Sequence, residues 1–206
     1  MFEGIFTALI TPFKDGKVDE SALWNLVEQQ IEAGIAGLVP CGSTGESATL
    51  SADEHNDVID IVISAAAGRV PVIAGTGSNN TREAISFTQY AKDAGATGAL
   101  LLSPYYNKPT QEGLIEHFVA IADATQIPLI LYNIPGRTAS NMLPETIARL
   151  AEHEFIVGVK EACGDLDQIS QLISLCPSDF TVLSGDDSLL LPVMAVGGKG
   201  SIAVTS

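Results

Sequence analysis

Positive charge is scarce in this chain of 206 residues: 10 lysines and arginines stand against 25 aspartates and glutamates, a net charge of −15. So acidic a surface repels phosphate backbones and anionic headgroups, which argues against nucleic-acid binding and against docking on anionic membranes. Cysteine is sparse too. Cys41, Cys163 and Cys176 are odd in number and lack CxxC spacing, the pattern of reduced thiols in a cytoplasm rather than of a disulfide framework. The three histidines, His55, His117 and His153, are scattered singly without zinc-type spacing. Each reads as a surface helix residue, and no metal site is expected. No apolar stretch is long enough to span a bilayer. The N-terminus lacks a basic region followed by a long apolar run, so no secretory signal is visible and a cytoplasmic location is expected. No linker, low-complexity tract or charge block divides the chain, which predicts one folded unit over residues 1–206.

What is abundant is aliphatic. Hydrophobic residues make up 46% of the chain, enough for one sizeable core. They fall into eight short runs, at 5–13, 37–42, 70–76, 98–104, 128–135, 155–162, 180–187 and 200–206. Each run is nearly continuous rather than alternating, as in strands buried on both faces. Helical spacing fills the intervals at 20–34, 52–67, 81–94, 111–125, 165–175 and 188–196. Ser51 and Glu54 form a capping box, Asn80 (with Glu83 three residues on) and Thr110 precede their helices, and Pro144 suits a first turn. A repeated β-α order with short links means parallel strands and right-handed crossovers. Eight such strands favour closure into a (β/α)8 barrel. An open doubly wound sheet is the alternative, but "GTGSNN" lacks the full G-x-G-x-x-G. The eighth run reaches the last residue, Ser206, so the barrel is expected to be truncated after strand eight, without helix eight or a C-terminal helical domain.

In a barrel of this kind chemistry sits where strands end. The polar groups expected there are Ser43, Thr44 and Glu46 after strand two, and Tyr105 and Tyr106 after strand four. Tyr132, Asn133 and Arg137 follow strand five, and Lys160 and Glu161 end strand six. Gly185, Asp186 and Asp187 follow strand seven, and Ile202 and Thr205 belong to strand eight. Lys160 has two uses. A lysine facing a low-dielectric barrel loses part of its preference for the charged form, and a neutral amine attacks a ketone to form a Schiff base. Alternatively it pairs with Glu161 or Asp187 as a structural ion. Tyr132 is either a proton shuttle or a packed aromatic. The "GST" turn offers amides to a carboxylate, and Arg137 offers a bidentate clamp; each is equally a plain turn or a solvated charge when taken alone. Asp186 and Asp187, without a third ligand, read as hydrogen-bonding or capping groups.

Taken in order, "GSTGES", "PYYNKPTQEG", "YNIPGRT", "GVKEA" and "SGDD" resemble the dihydrodipicolinate synthase family, within the pyruvate-dependent class I aldolases that include N-acetylneuraminate lyase. The resemblance implies a lyase that condenses pyruvate with L-aspartate 4-semialdehyde to 4-hydroxy-tetrahydrodipicolinate, toward diaminopimelate and lysine. It implies Lys160 as the Schiff-base residue, Tyr132 as its proton partner, and Thr44 and Tyr106 as a relay to bulk water. Ser43 and Thr44 would hold the pyruvate carboxylate, Arg137 the semialdehyde carboxylate, and Gly185 and Ile202 would line the pocket through backbone carbonyls. No metal or organic cofactor is implied. The residue at Tyr106 enters a neighbouring subunit's site in this family, so a homotetramer built from dimers is implied. A lysine-regulatory site would involve Ser47, Ala48, Asn79, Glu83 and Tyr105. Ser43 stands where many members carry threonine, and Ala52 where some inhibited members carry histidine. Another 2-oxo acid aldolase of the superfamily, or an inactive truncated barrel, are the competing readings.

Overall fold

The computed structural model describes residues 2–206. The chain runs through β1 (Gly4–Ala8), β2 (Phe13–Lys14), β3 (Lys17–Val18), α1 (Glu20–Glu32), β4 (Gly37–Val39), α2 (Ala52–Ala66), β5 (Ile73–Gly75), α3 (Thr81–Ala94) and β6 (Gly98–Leu102). It continues with α4 (Gln111–Thr125), β7 (Leu129–Asn133), α5 (Pro135–Thr138), α6 (Pro144–Leu150), β8 (Ile156–Glu161), α7 (Leu166–Leu175), β9 (Thr181–Ser184), a 3-10 turn (Asp187–Leu189), α8 (Leu190–Ala195) and β10 (Gly200–Ala203).

Eight strands form one sheet in the order β4-β1-β10-β9-β8-β7-β6-β5, with neighbours parallel. A parallel bridge between Leu38 and Val72 brings its two edges together. The sheet is therefore a nearly closed (β/α)8 barrel. Phe6, Val39, Ile73, Leu100, Ile130, Leu183 and Ile202 fill its interior. Leu129, Leu131 and Val159 lie in a second apolar layer with Phe118, Ile147 and Leu172 of the surrounding helices. Burial on both faces explains why the strands read as unbroken apolar runs. Closure depends on Gly200, whose φ is +147° and whose place a Cβ would fill 1.9 Å from the Gly4 carbonyl oxygen. Only glycine lets β10 lie this close to β1.

The helix starts follow local chemistry. Ser51 and Glu54 make the reciprocal capping box at α2, and the Asn80 and Thr110 side chains accept from the first turns of α3 and α4. Pro144 opens α6. The Glu83 carboxylate does not complete a box at Asn80; it accepts from the Ser78 hydroxyl instead.

Other expectations are corrected. The first run splits after Ala8, and its end enters a short β2–β3 hairpin in which Phe13 is exposed. Pro135 starts a four-residue helix that the apolar pattern did not signal. The last strand stops at Ala203, and the Val204 and Thr205 amides donate to the Asp187 carboxylate. Asp187 thus has the capping role expected of it, whereas Thr205 binds it from outside the strand. His55 and His117 are not surface residues: both are buried. The His55 Nε2 lies 2.8 Å from the Gly75 carbonyl and the His117 Nδ1 2.9 Å from the Thr81 hydroxyl. His55 thus faces the end of β5 and His117 the start of α3, each on the buried stripe of its helix. Among the described residues no cluster of three or more His, Cys, Asp or Glu is placed to hold a metal ion.

Candidate active site

Pairing of β7 with β8 sets Tyr132 opposite Lys160 and Asn133 opposite Glu161. Side chains alternate along a strand, so the first pair faces the barrel interior and the second faces the helices. Lys160 is 5% exposed, and its Nζ lies 4.3 Å from the centroid of the Tyr132 ring. It takes part in none of the ion pairs among the described residues. Glu161 has turned away from it, and its carboxylate accepts from the Asn133 amide and the Cys163 backbone N–H. The ion-pair use of Lys160 with Glu161 is thereby excluded by geometry.

Desolvation pulls the Lys160 amine down to about 8, against the opposing fields of Asp187 and Asp186. A sizeable neutral fraction at physiological pH is the state a nucleophilic amine needs. Burial pushes the Tyr132 phenol up to about 12, partly offset by the Arg137 charge. The Tyr132 phenol therefore keeps its proton in the resting site. Burial also raises the Glu161 carboxyl to about 7, although the bonds from Asn133 and Cys163 oppose it.

Lys160 and Tyr132 open onto a cavity of about 210 Å³ at the C-terminal rim, whose walls include Ser43, Thr44, Arg137, Gly185, Asp186 and Ile202. The turn after β4 supplies Ser43 and Thr44, and the short helix α5 contributes Arg137 to the lining. A readily deprotonated amine, a phenol, a hydroxyl turn and a guanidinium around a volume this small suit a compact keto acid.

Tyr106 is different. It stands 89% exposed, at φ +72°, and is not part of that wall. Ser47, Ala48, Glu83 and Tyr105 line a second cavity of about 550 Å³, which shares Ser43 and Arg137 with the first. Asn79 is not in its lining but donates to the Tyr105 carbonyl. Buried His55 and exposed Ala52 complete part of this wall. His55 falls on the apolar stripe of α2 with Val58, Ile59 and Val62, and that helical spacing is the signal in the sequence that marks it as buried. Asn133 and Glu161 were named as rim residues, but their bond behind the barrel was invisible without the register.

The whole chain, residues 1–206, matches the profile of the Dihydrodipicolinate synthetase family. It is 60% identical over 206 residues to the 4-hydroxy-tetrahydrodipicolinate synthase of Nitratidesulfovibrio vulgaris (strain DP4), covering 100% of this chain and 70% of that relative. Among solved structures it is similar to dihydrodipicolinate synthase from Aquifex aeolicus, with TM-score 0.98 and 51% identity over 99% of this chain and 70% of that one. It is also similar to DHDPS from Cyanidioschyzon merolae, solved with lysine bound, with TM-score 0.97 and 44% identity over 99% and 70% of the two chains.

Proposed function

The chain belongs to the dihydrodipicolinate synthetase family, and from that premise we infer that it is a lyase condensing pyruvate with L-aspartate 4-semialdehyde in lysine and diaminopimelate biosynthesis. The observation that carries the assignment of residues is the uncharged-prone Lys160 amine, buried within reach of Tyr132 at the rim cavity.

The neutral Lys160 Nζ attacks the ketone carbon of pyruvate. The resulting carbinolamine loses water as Tyr132 donates a proton to the departing hydroxide, leaving an imine. The imine draws electrons from the methyl carbon, which releases a proton and becomes the nucleophilic end of an enamine. That carbon bonds to the aldehyde carbon of the semialdehyde, whose oxygen takes up a proton. The semialdehyde's own amine then attacks the imine carbon, displaces Lys160 and closes a six-membered ring that keeps the new hydroxyl. Ser43 and Thr44 face the pyruvate carboxylate, Arg137 the semialdehyde carboxylate, and Gly185 and Ile202 close the pocket wall.

Thr44 and Tyr106 form the proton route from Tyr132 to water. Tyr106 is absent from its own chain's cavity wall, which supports completion of this route by a second copy; the homotetramer of paired dimers, for the full-length protein, rests on the family resemblance. Residues 1–206 act as one catalytic unit. Free Cys41, Cys163 and Cys176 support a cytoplasmic location, and no helix among the described residues is long and apolar enough to cross a membrane. The cavity walled by Ser47, Ala48, Glu83 and Tyr105, with Asn79 behind it, is the lysine-regulatory site, in line with the lysine-bound relative.

Borohydride reduction with pyruvate, followed by peptide mass spectrometry, tests the core of this reading. A pyruvate-derived increment is expected on Lys160; a folded protein left unmodified there refutes it. Arg137→Ala is expected to lower kcat/KM for the semialdehyde by about a hundredfold, the value of a charge-assisted bidentate contact. Pyruvate adduct formation should change little, and an equal loss in both contradicts the assigned role.

A further inference from the structure

We propose that Asn133 and Glu161 are positioning residues for this reaction: joined behind the barrel wall, they hold the rims of β7 and β8 in register and so set the separation of Tyr132 and Lys160 in front of it. The inference rests on the roles of Lys160 and Tyr132 given above.

Asn133 and Glu161 each follow a reactive residue by one position and are Cα partners across the two strands. Both are essentially without solvent exposure. The Asn133 Nδ2 donates to the Glu161 carboxylate oxygens at 2.9 and 3.1 Å. It also donates to the Asn141 Oδ1 at 2.8 Å, while the Met142 N–H donates to the Asn133 Oδ1 at 3.0 Å. The Cys163 N–H donates to the Glu161 Oε1 at 2.9 Å. Asn141 and Gln168 exchange side-chain hydrogen bonds in turn, which ties the clasp to α7.

Two facts separate this clasp from ordinary packing. The ladder shifts register between Leu129 and Ile130, so the alignment of the rim rests only on the pairs from Ile130 upward, of which Asn133 with Glu161 is the last. The outward pairs lower on the same strands, Leu129 with Ile156 and Leu131 with Val159, are apolar and lie in the helix–barrel core. An apolar third pair would bury at lower cost than a carboxylate and an amide. The polar pair instead has directional bonds, which specify one register where apolar contact tolerates sliding. Each bond acts one peptide away from a reacting side chain.

The experiment compares the unsubstituted protein, the double variant Asn133→Leu/Glu161→Leu, and Glu161→Gln, which keeps an acceptor toward Asn133. The readouts are borohydride-trapped pyruvate on Lys160, kcat, KM for pyruvate, and thermal melting. The double variant is expected to melt no lower than the parent yet to lose about 10- to 100-fold in kcat and in trapping rate, the effect of misplacing a reactive pair. Its KM for pyruvate should stay within about twofold, and Glu161→Gln should recover to within about fivefold of the parent. If the double variant does not fold, Asn133→Ser, which shortens the clasp but keeps its polarity, is expected to lose about tenfold in kcat. Parental kcat in the double variant, or in Asn133→Ser where the double variant does not fold, overturns the proposal, as does a loss shared equally by kcat, KM and melting temperature. A parent that is itself unlabelled at Lys160 overturns the reading of the site; a labelled parent with unimpaired variants overturns only the clasp.

Discussion

A single ammonium placed inside the barrel costs stability and supplies reactivity. Lys160 titrates near 8 rather than at its ordinary 10.5. Imine formation needs the neutral amine, so the rate of pyruvate trapping should rise with pH and level off above an apparent pKa of about 8; stopped-flow or quenched trapping from about pH 6 to about pH 9.5 reads it directly. The same shift sets a stability term. Between the folded value near 8 and the unfolded value the unfolded chain binds the extra proton, so stability rises with pH across that window. Below it, the charge costs about 3 kcal/mol. Lys160→Met should abolish trapping and raise the melting temperature by about 5 °C at neutral pH. That gain should shrink as pH approaches about 10, where the parent has already lost its buried charge. A variant that melts lower than the parent at every pH would show that Lys160 is compensated by partners.

At the scale of elements, the strands decide where side chains face and the turns decide how near the strands come. Helix starts were legible because capping is local: Ser51 and Glu54 lie three residues apart and bond to each other whatever the rest of the chain does. Strand faces were not. A slip of one residue turns a whole strand inside out, and the irregular pairing at Leu129 and Ile130 makes the alternation through "IVGVKE" ambiguous. From the residues alone Lys160 remained either a nucleophile or an ion-pair partner of Glu161 or Asp187. Barrel closure is as sensitive at Gly200. Gly200→Ala would drive a methyl group into the Gly4 carbonyl, at a cost of about 3 kcal/mol in strain and displaced pairing. Urea melts should show the loss in the midpoint, and a midpoint unchanged from the parent would mean that β1 and β10 close without that contact.

For the whole molecule, the question is which parts of the site one copy can assemble. One chain brings Lys160, Tyr132, Thr44 and Arg137 to one cavity but leaves Tyr106 facing solvent. Under the proposed dimer, protomers carrying Lys160→Ala and protomers carrying Tyr106→Phe should each be impaired alone. Mixed and reassembled in equal amounts, they should regain about a quarter of the parental activity, because half the dimers are mixed and one site in each is intact. No recovery after verified exchange would place the Tyr106 hydroxyl outside the neighbour's site.

By itself the sequence determined the repeated strand–helix order, the helix caps and the set of polar residues at strand ends, since these depend on neighbours a few positions apart. Its ordered motifs also carried the family resemblance. Tertiary structure alone decided that Lys160 faces inward and Glu161 outward, and that Asn133 clasps Glu161 behind the reactive pair. Those outcomes depend on strand register and on contacts between residues far apart along the chain, which local patterns do not encode.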